Sequence, residues 1–118
     1  MPYLLLITEP REQRRKRTAE EGRFAYEQML RFTNDLKARG VHVASESLKS
    51  DAGGVRVQVR GGKRSLIDGP FAEAKEMVGG FFLLNCATRE EAIAIAGECP
   101  AAEWATVEVR EIGPCHGG

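Results

Sequence analysis

Two stretches of the chain are apolar over the length of a β-strand: Tyr3-Leu4-Leu5-Leu6-Ile7, and Phe81 to Cys86 with Asn85 as the polar exception. Consecutive strand residues point to opposite faces of a sheet, so a run without polar alternates must be covered on both faces. These runs are therefore predicted as the central strands of one sheet. Other strand candidates alternate. Val55, Val57 and Val59 interleave with Arg56, Gln58 and Arg60, and across 104–112 Ala105, Val107 and Val109 interleave with Thr106, Glu108 and Arg110, which predicts strands with one wetter face.

Two helices complete the pattern. Thr18 followed by Glu21 is a capping box, and Ala25, Met29, Phe32 and Leu36 recur at helical spacing until Gly40, where the helix should stop. Thr88 with Glu91 repeats the box ahead of Ala92, Ile93, Ile95 and Cys99, and Pro100 ends that segment. With a strand at about 41–47 and a hairpin at about 55–60 and 63–67 turning on Gly61-Gly62, the order is strand, helix, strand, hairpin, strand, helix, strand. Right-handed crossovers put both helices on one face of a single sheet, a ferredoxin-like α+β arrangement with 3–7 and 81–86 in the middle. The other sheet face then lacks a cover. A second copy packed sheet face to sheet face would supply it, so a homodimer is expected.

A chain of 118 residues fits one domain, placed at 1–112 with a flexible tail at 113–118. It buries roughly 65% of its unfolded surface, enough for a core without disulfides or structural metal. Seventeen basic residues balance seventeen acidic ones, so no protein-wide field favours nucleic acid or an anionic membrane. Cys86, Cys99 and Cys115 lack CxxC spacing, and two of them sit in apolar runs, which reads as reduced thiols in a cytoplasmic protein. The apolar opening run is too short for a signal peptide or a membrane span and has no basic region before it.

Between the hairpin and the second central strand lies Asp68-Gly69-Pro70-Phe71-Ala72-Glu73-Ala74-Lys75-Glu76, followed by Gly79-Gly80-Phe81. Together with the apolar opening strand, the helix end Ala38-Arg39-Gly40, Glu46-Ser47-Leu48, and Cys99-Pro100 before Val107-Glu108-Val109-Arg110, this makes the chain resemble the YCII-related family, and within it the subgroup named for Asp-Gly-Pro-Phe. The resemblance covers nearly the whole chain. It implies a dimeric α-β barrel and, for many members of the subgroup, a place beside extracytoplasmic-function sigma factors in bacteria. Some wider relatives are regarded as enzymes acting on small cyclic or aromatic compounds, hydrogen-chloride elimination included, with a His-Asp pair as the proposed active site. The helix position where those relatives carry the His holds Met29 here, so a His-dependent mechanism does not transfer.

Asp68 is the first candidate for chemistry. At a strand end before a Gly-Pro step it has two readings: a general base in a cleft, or a turn residue accepting backbone N–H groups. His42, Glu46 and Lys75 are the candidate ligand-binding residues around it. Gly79-Gly80 read as a bulge or tight packing ahead of a close approach by ligand. Arg11, Arg14, Arg15, Lys16 and Arg17 crowd five cations into seven residues before the first helix; without interleaved aromatics they read as a solvated loop that opposes the helix dipole. No phosphate-cradling glycine loop is present, and Cys115-His116 cannot close a metal site alone, so neither cofactor nor metal is expected. Two functions follow from the residues and the resemblance: a small-molecule-binding or regulatory homodimer, or a cofactor-independent lyase or isomerase of a small cyclic acid or phenol with Asp68 as base and Lys75 or an Arg11–Arg17 cation stabilising the anion.

Overall fold

The structure, a computed structural model, describes residues 1–116. In chain order the elements are β1 (Pro2–Pro10), α1 (Gln13–Lys16), α2 (Ala19–Ala38), β2 (His42–Ser47), a 3-10 turn (Asp51–Gly53), β3 (Val55–Arg60), β4 (Lys63–Asp68), β5 (Glu76–Asn85), α3 (Arg89–Glu98), a second 3-10 turn (Pro100–Glu103) and β6 (Thr106–Glu111). Four strands form an antiparallel sheet in the order β2-β5-β1-β6. The two apolar runs are the inner strands, as their lack of polar alternates requires. Both run further than the apolar residues alone suggest, because Glu9 and Met77 continue the ladder.

Alternation sorts the sheet into two faces. Tyr3, Leu5, Phe82 and Leu84 point to one of them, where Phe32 and Leu36 of α2 and Ala92, Ile95 and Ala96 of α3 bury them in a single core. The Phe32 ring meets Phe82 edge-on at 5.3 Å. Leu4, Leu6, Phe81 and Leu83 point to the other face and stay half-exposed. This is an α+β chain with both helices on one side of an antiparallel sheet, compatible with a ferredoxin-like fold.

Helix ends follow local chemistry. The Glu21 amide donates to the Thr18 hydroxyl at 3.1 Å and the Thr18 amide to the Glu21 carboxylate at 2.9 Å, so both halves of the box are made. At its other end Gly40 N–H donates to Lys37 O and Val41 N–H to Leu36 O, the paired bonds of a Schellman close. In α3 the Thr88 half of the box is present, but the Glu91 carboxylate reaches one residue further back, to the Ala87 amide at 3.2 Å.

Two expectations are corrected. The hairpin does not extend a single sheet: β3 and β4 form a sheet of their own, exposed along their whole length. Their base is tied to the Asp51–Gly53 turn, through Gly69 N–H to Gly54 O at 2.8 Å, and not to a main-sheet strand. The last strand begins at Thr106 because the 3-10 turn holds Trp104 through its N–H to Ala101 O. Of the tail at 113–118, residues 117 and 118 lie outside the described residues. Among the described residues no helix is long and apolar enough to cross a membrane.

Candidate functional site

A cavity of about 490 Å³ opens between α2 and the helix-facing side of the sheet. The sheet contributes Ile7, Glu9 and Phe82, α2 contributes Tyr26 and Met29, and the turn after α3 contributes Trp104. A β-bulge forms part of its wall. Ile7 pairs with Gly80 but Thr8 pairs with Val78, so Gly79 is an extra residue in β5.

Opposite the bulge, Glu9 continues the inward phase of Tyr3, Leu5 and Ile7 and is 6% exposed. A carboxylate taken that far from water requires a charged partner. Arg14, at the start of the helical segment, provides it: Nε lies 2.9 Å and Nη2 2.6 Å from Glu9 Oε1. Arg14 Nη2 also donates to Gly79 O at 3.4 Å. A Cβ on Gly79 would collide with Glu9 Oε1, so the missing side chain is what leaves room for the ion pair.

The basic cluster divides among separate tasks. Arg11 grips Asp51 through two bonds of 2.8 and 2.6 Å and sends Nε to Ala74 O at 2.8 Å, fastening the 3-10 turn to the segment before β5. Hydrogen bonds from Arg11 hold the Asp51 carboxyl below its ordinary range, with the Phe71 amide adding to the effect. Arg15 makes an exposed pair with Glu12. The Arg17 guanidinium lies 5.4 Å from the Trp104 ring centroid and bonds to the neutral Gln13 amide at the cavity edge. The loop is therefore not simply solvated. Its cations are placed by partners at positions 9, 13, 51 and 104, of which Asp51 and Trp104 lie far from the cluster in sequence.

Glu46 borders the cavity at the edge strand, although the register puts it with Phe81 on the open sheet face, whereas His42, Asp68 and Lys75 do not line it. His42 is half-buried on β2 with Nε2 2.8 Å from Ser45 Oγ, and burial, aided by Lys37, lowers its pKa. Asp68 is exposed at the end of β4, across from Val55. Lys75 is exposed too, and its carbonyl accepts the Arg11 amide. In the Asp68–Phe71 turn, which contains a cis peptide at Gly69-Pro70, the acceptor for the Phe71 amide is Asp51. Gly69 is needed there for space and not for a positive φ: a Cβ on it would overlap the Asp51 carbonyl oxygen.

Glu9, Arg14 and Asp51 carry structural weight that the sequence reading did not assign. For Glu9 a signal existed, since a carboxylate two residues beyond Ile7 falls in phase with the buried side of the strand. Met29 lines the cavity and lies 4.0 Å, sulfur to sulfur, from Cys99. Burial pushes the Cys86 and Cys99 thiols up, which leaves them protonated at neutral pH. Among the described residues no cluster of three His, Cys, Asp or Glu side chains is arranged to hold a metal ion.

Two comparisons bear on identity. A 53-residue stretch is 42% identical to an uncharacterised protein of Rhizobium meliloti (strain 1021), spanning 43% of this chain and 43% of that protein, so the match covers under half of the relative's length. The YCII-related domain matches over residues 1–116, and the chain accordingly belongs to the YCII-related domain family.

Proposed function

We propose that this YCII-related protein is a homodimer that binds a small organic acid with a flat apolar body in the cavity beneath α2. The carrying observation is the Arg17 guanidinium over the Trp104 ring at the edge of a cavity of mixed polar and apolar lining whose buried carboxylate, Glu9, is already neutralised by Arg14. Arg17 and Lys37 then face the cavity as cations, and Ile7, Met29 and Phe82 offer apolar contact. Binding suits these groups better than catalysis: both core thiols are held protonated, and Met29 occupies the helix position of the relatives' His. The half-exposed strip Leu4, Leu6, Phe81 and Leu83 is the surface the second copy covers. By resemblance the proposal extends to the Asp-Gly-Pro-Phe subgroup, to a dimeric α-β barrel in the cytoplasm, and to regulation beside a sigma factor.

Calorimetric titration with small cyclic and aromatic carboxylates tests the site. Arg17→Gln should weaken binding at least about tenfold, because a charge-assisted contact contributes roughly 1.5–3 kcal/mol. Asp68→Asn should leave it unchanged. A panel without a binder up to millimolar concentration, or a binder indifferent to Arg17→Gln, would overturn the reading. A turnover abolished by Asp68→Asn would replace it with the lyase in which Asp68 is the base and Lys75 the anion partner.

A further inference from the structure

The hairpin β3–β4 has an apolar face that nothing in its own chain covers. Val55, Val57 and Val59 lie on that face with Leu66, which pairs across from Val57, and each is 51–58% exposed. A two-stranded hairpin with both faces in water is marginal in isolation. The chain as a whole is also over-extended. Its surface of 8238 Å² exceeds by about 1,900 Å² the roughly 6,300 Å² of a compact monomer of its mass. Its radius of gyration is 16.2 Å against about 13.5 Å for a compact domain of this length. An excess of that size matches the area each partner buries in a permanent homodimer, on the order of 1,000–2,500 Å².

The open sheet face, with Leu4, Leu6, Phe81 and Leu83 half-exposed, is the other apolar surface that its own chain leaves uncovered. Residues 55–68 hold Arg56, Arg60, Lys63 and Arg64 against Asp68, so a chain that is neutral overall divides into an arm of +3 and a body of −3. On the open sheet face the register sets Glu46, Phe81, Leu6 and Glu108 in one row, an apolar pair with a carboxylate on either side, of which Glu108 is already bonded to Arg110. On the apolar face of the hairpin Arg64, across from Val59, is the cation; Arg56, Arg60 and Lys63 alternate onto the other face, where Arg56 pairs with Glu73.

We infer that each hairpin is an arm exchanged within the homodimer, its Val57–Leu66 face lying on the open apolar sheet face of the second copy. Two-fold symmetry makes the exchange reciprocal, so both arms are covered by one closed contact. The inference rests on the homodimer proposed above, and the test separates the two.

Sedimentation equilibrium of the full chain and of Val57→Ser/Leu66→Ser is combined with hydrogen exchange of amides 55–68 in the wild type over a range of concentrations. A wild-type dimer, a dissociation constant at least about a hundredfold higher in the double variant, and arm amides that exchange at least about tenfold faster on dilution would bear the inference out. A dimer as tight in the variant, with arm amides unprotected at every concentration, would overturn the arm and leave the sheet-face dimer standing. A wild-type monomer at micromolar concentration would overturn both.

Discussion

Asp51, not its motif neighbour Asp68, is the carboxylate that organises the Asp68–Phe71 turn, and its charge is held by Arg11. Because Arg11 depresses the folded-state pKa of Asp51, the stability this pair contributes is present above the ordinary carboxyl value of 3.8 and lost as pH falls through the lower folded value. Asp51→Asn should therefore lower the urea midpoint at pH 6, and the gap to wild type should close under strong acid. His42 acts in the opposite pH range. Its neutral form is favoured by burial, so stability is unaffected above the ordinary value of 6.5 and declines as pH falls below it, by less than one proton's slope. In His42→Gln that decline should flatten in melts taken between pH 7 and 5. Gly69 and Gly79 differ in what an added methyl meets. At Gly69 it meets backbone, so Gly69→Ala should cost about 2–3 kcal/mol; at Gly79 it meets the end of the Glu9 side chain, so Gly79→Ala should cost about 1–2 kcal/mol and displace the ion pair.

Among the elements, α2 bears most directly on the site. Gly22 lies in its second turn and lines the cavity, and a Cβ there would meet nothing within 4 Å. Gly22→Ala should stabilise the chain by roughly 0.5–1 kcal/mol, read as a higher melting temperature. The elements best read from sequence are those whose cause is local. The apolar runs of β1 and β5 could only be inner strands, and Thr18 with Glu21 and Gly40 bound α2 by bonds between near neighbours. The hairpin was legible as a hairpin but not as a separate sheet, since the alternation of Val55, Val57 and Val59 with polar residues is what a half-buried strand shows whether or not a core lies behind it. The site was less legible still. Glu46 borders the cavity only from the edge strand, Glu9–Arg14 depends on a bulge created by one inserted residue, and Asp51–Arg11 joins positions 40 residues apart.

At the scale of the whole molecule, a half-exposed sheet face, an exposed arm and a surface too large for the mass are what the proposed homodimer would cover, and in such an assembly folding and association are coupled. Each tenfold rise in protein concentration then adds about 1.4 kcal/mol to the stability of the dimer, so melting should shift upward by about 3 °C per decade, whereas a monomer would melt at one temperature throughout. The bulge at Gly79 separates architecture from binding. Losing that one residue would return β1 and β5 to an unbroken ladder, with Thr8 still across from Val78, and would leave every other strand pair as it is. A single codon thus separates the strand pairing that makes the sheet from the space that admits the buried Glu9–Arg14 pair, so the wall of the cavity can change in evolution while the ladder around it persists.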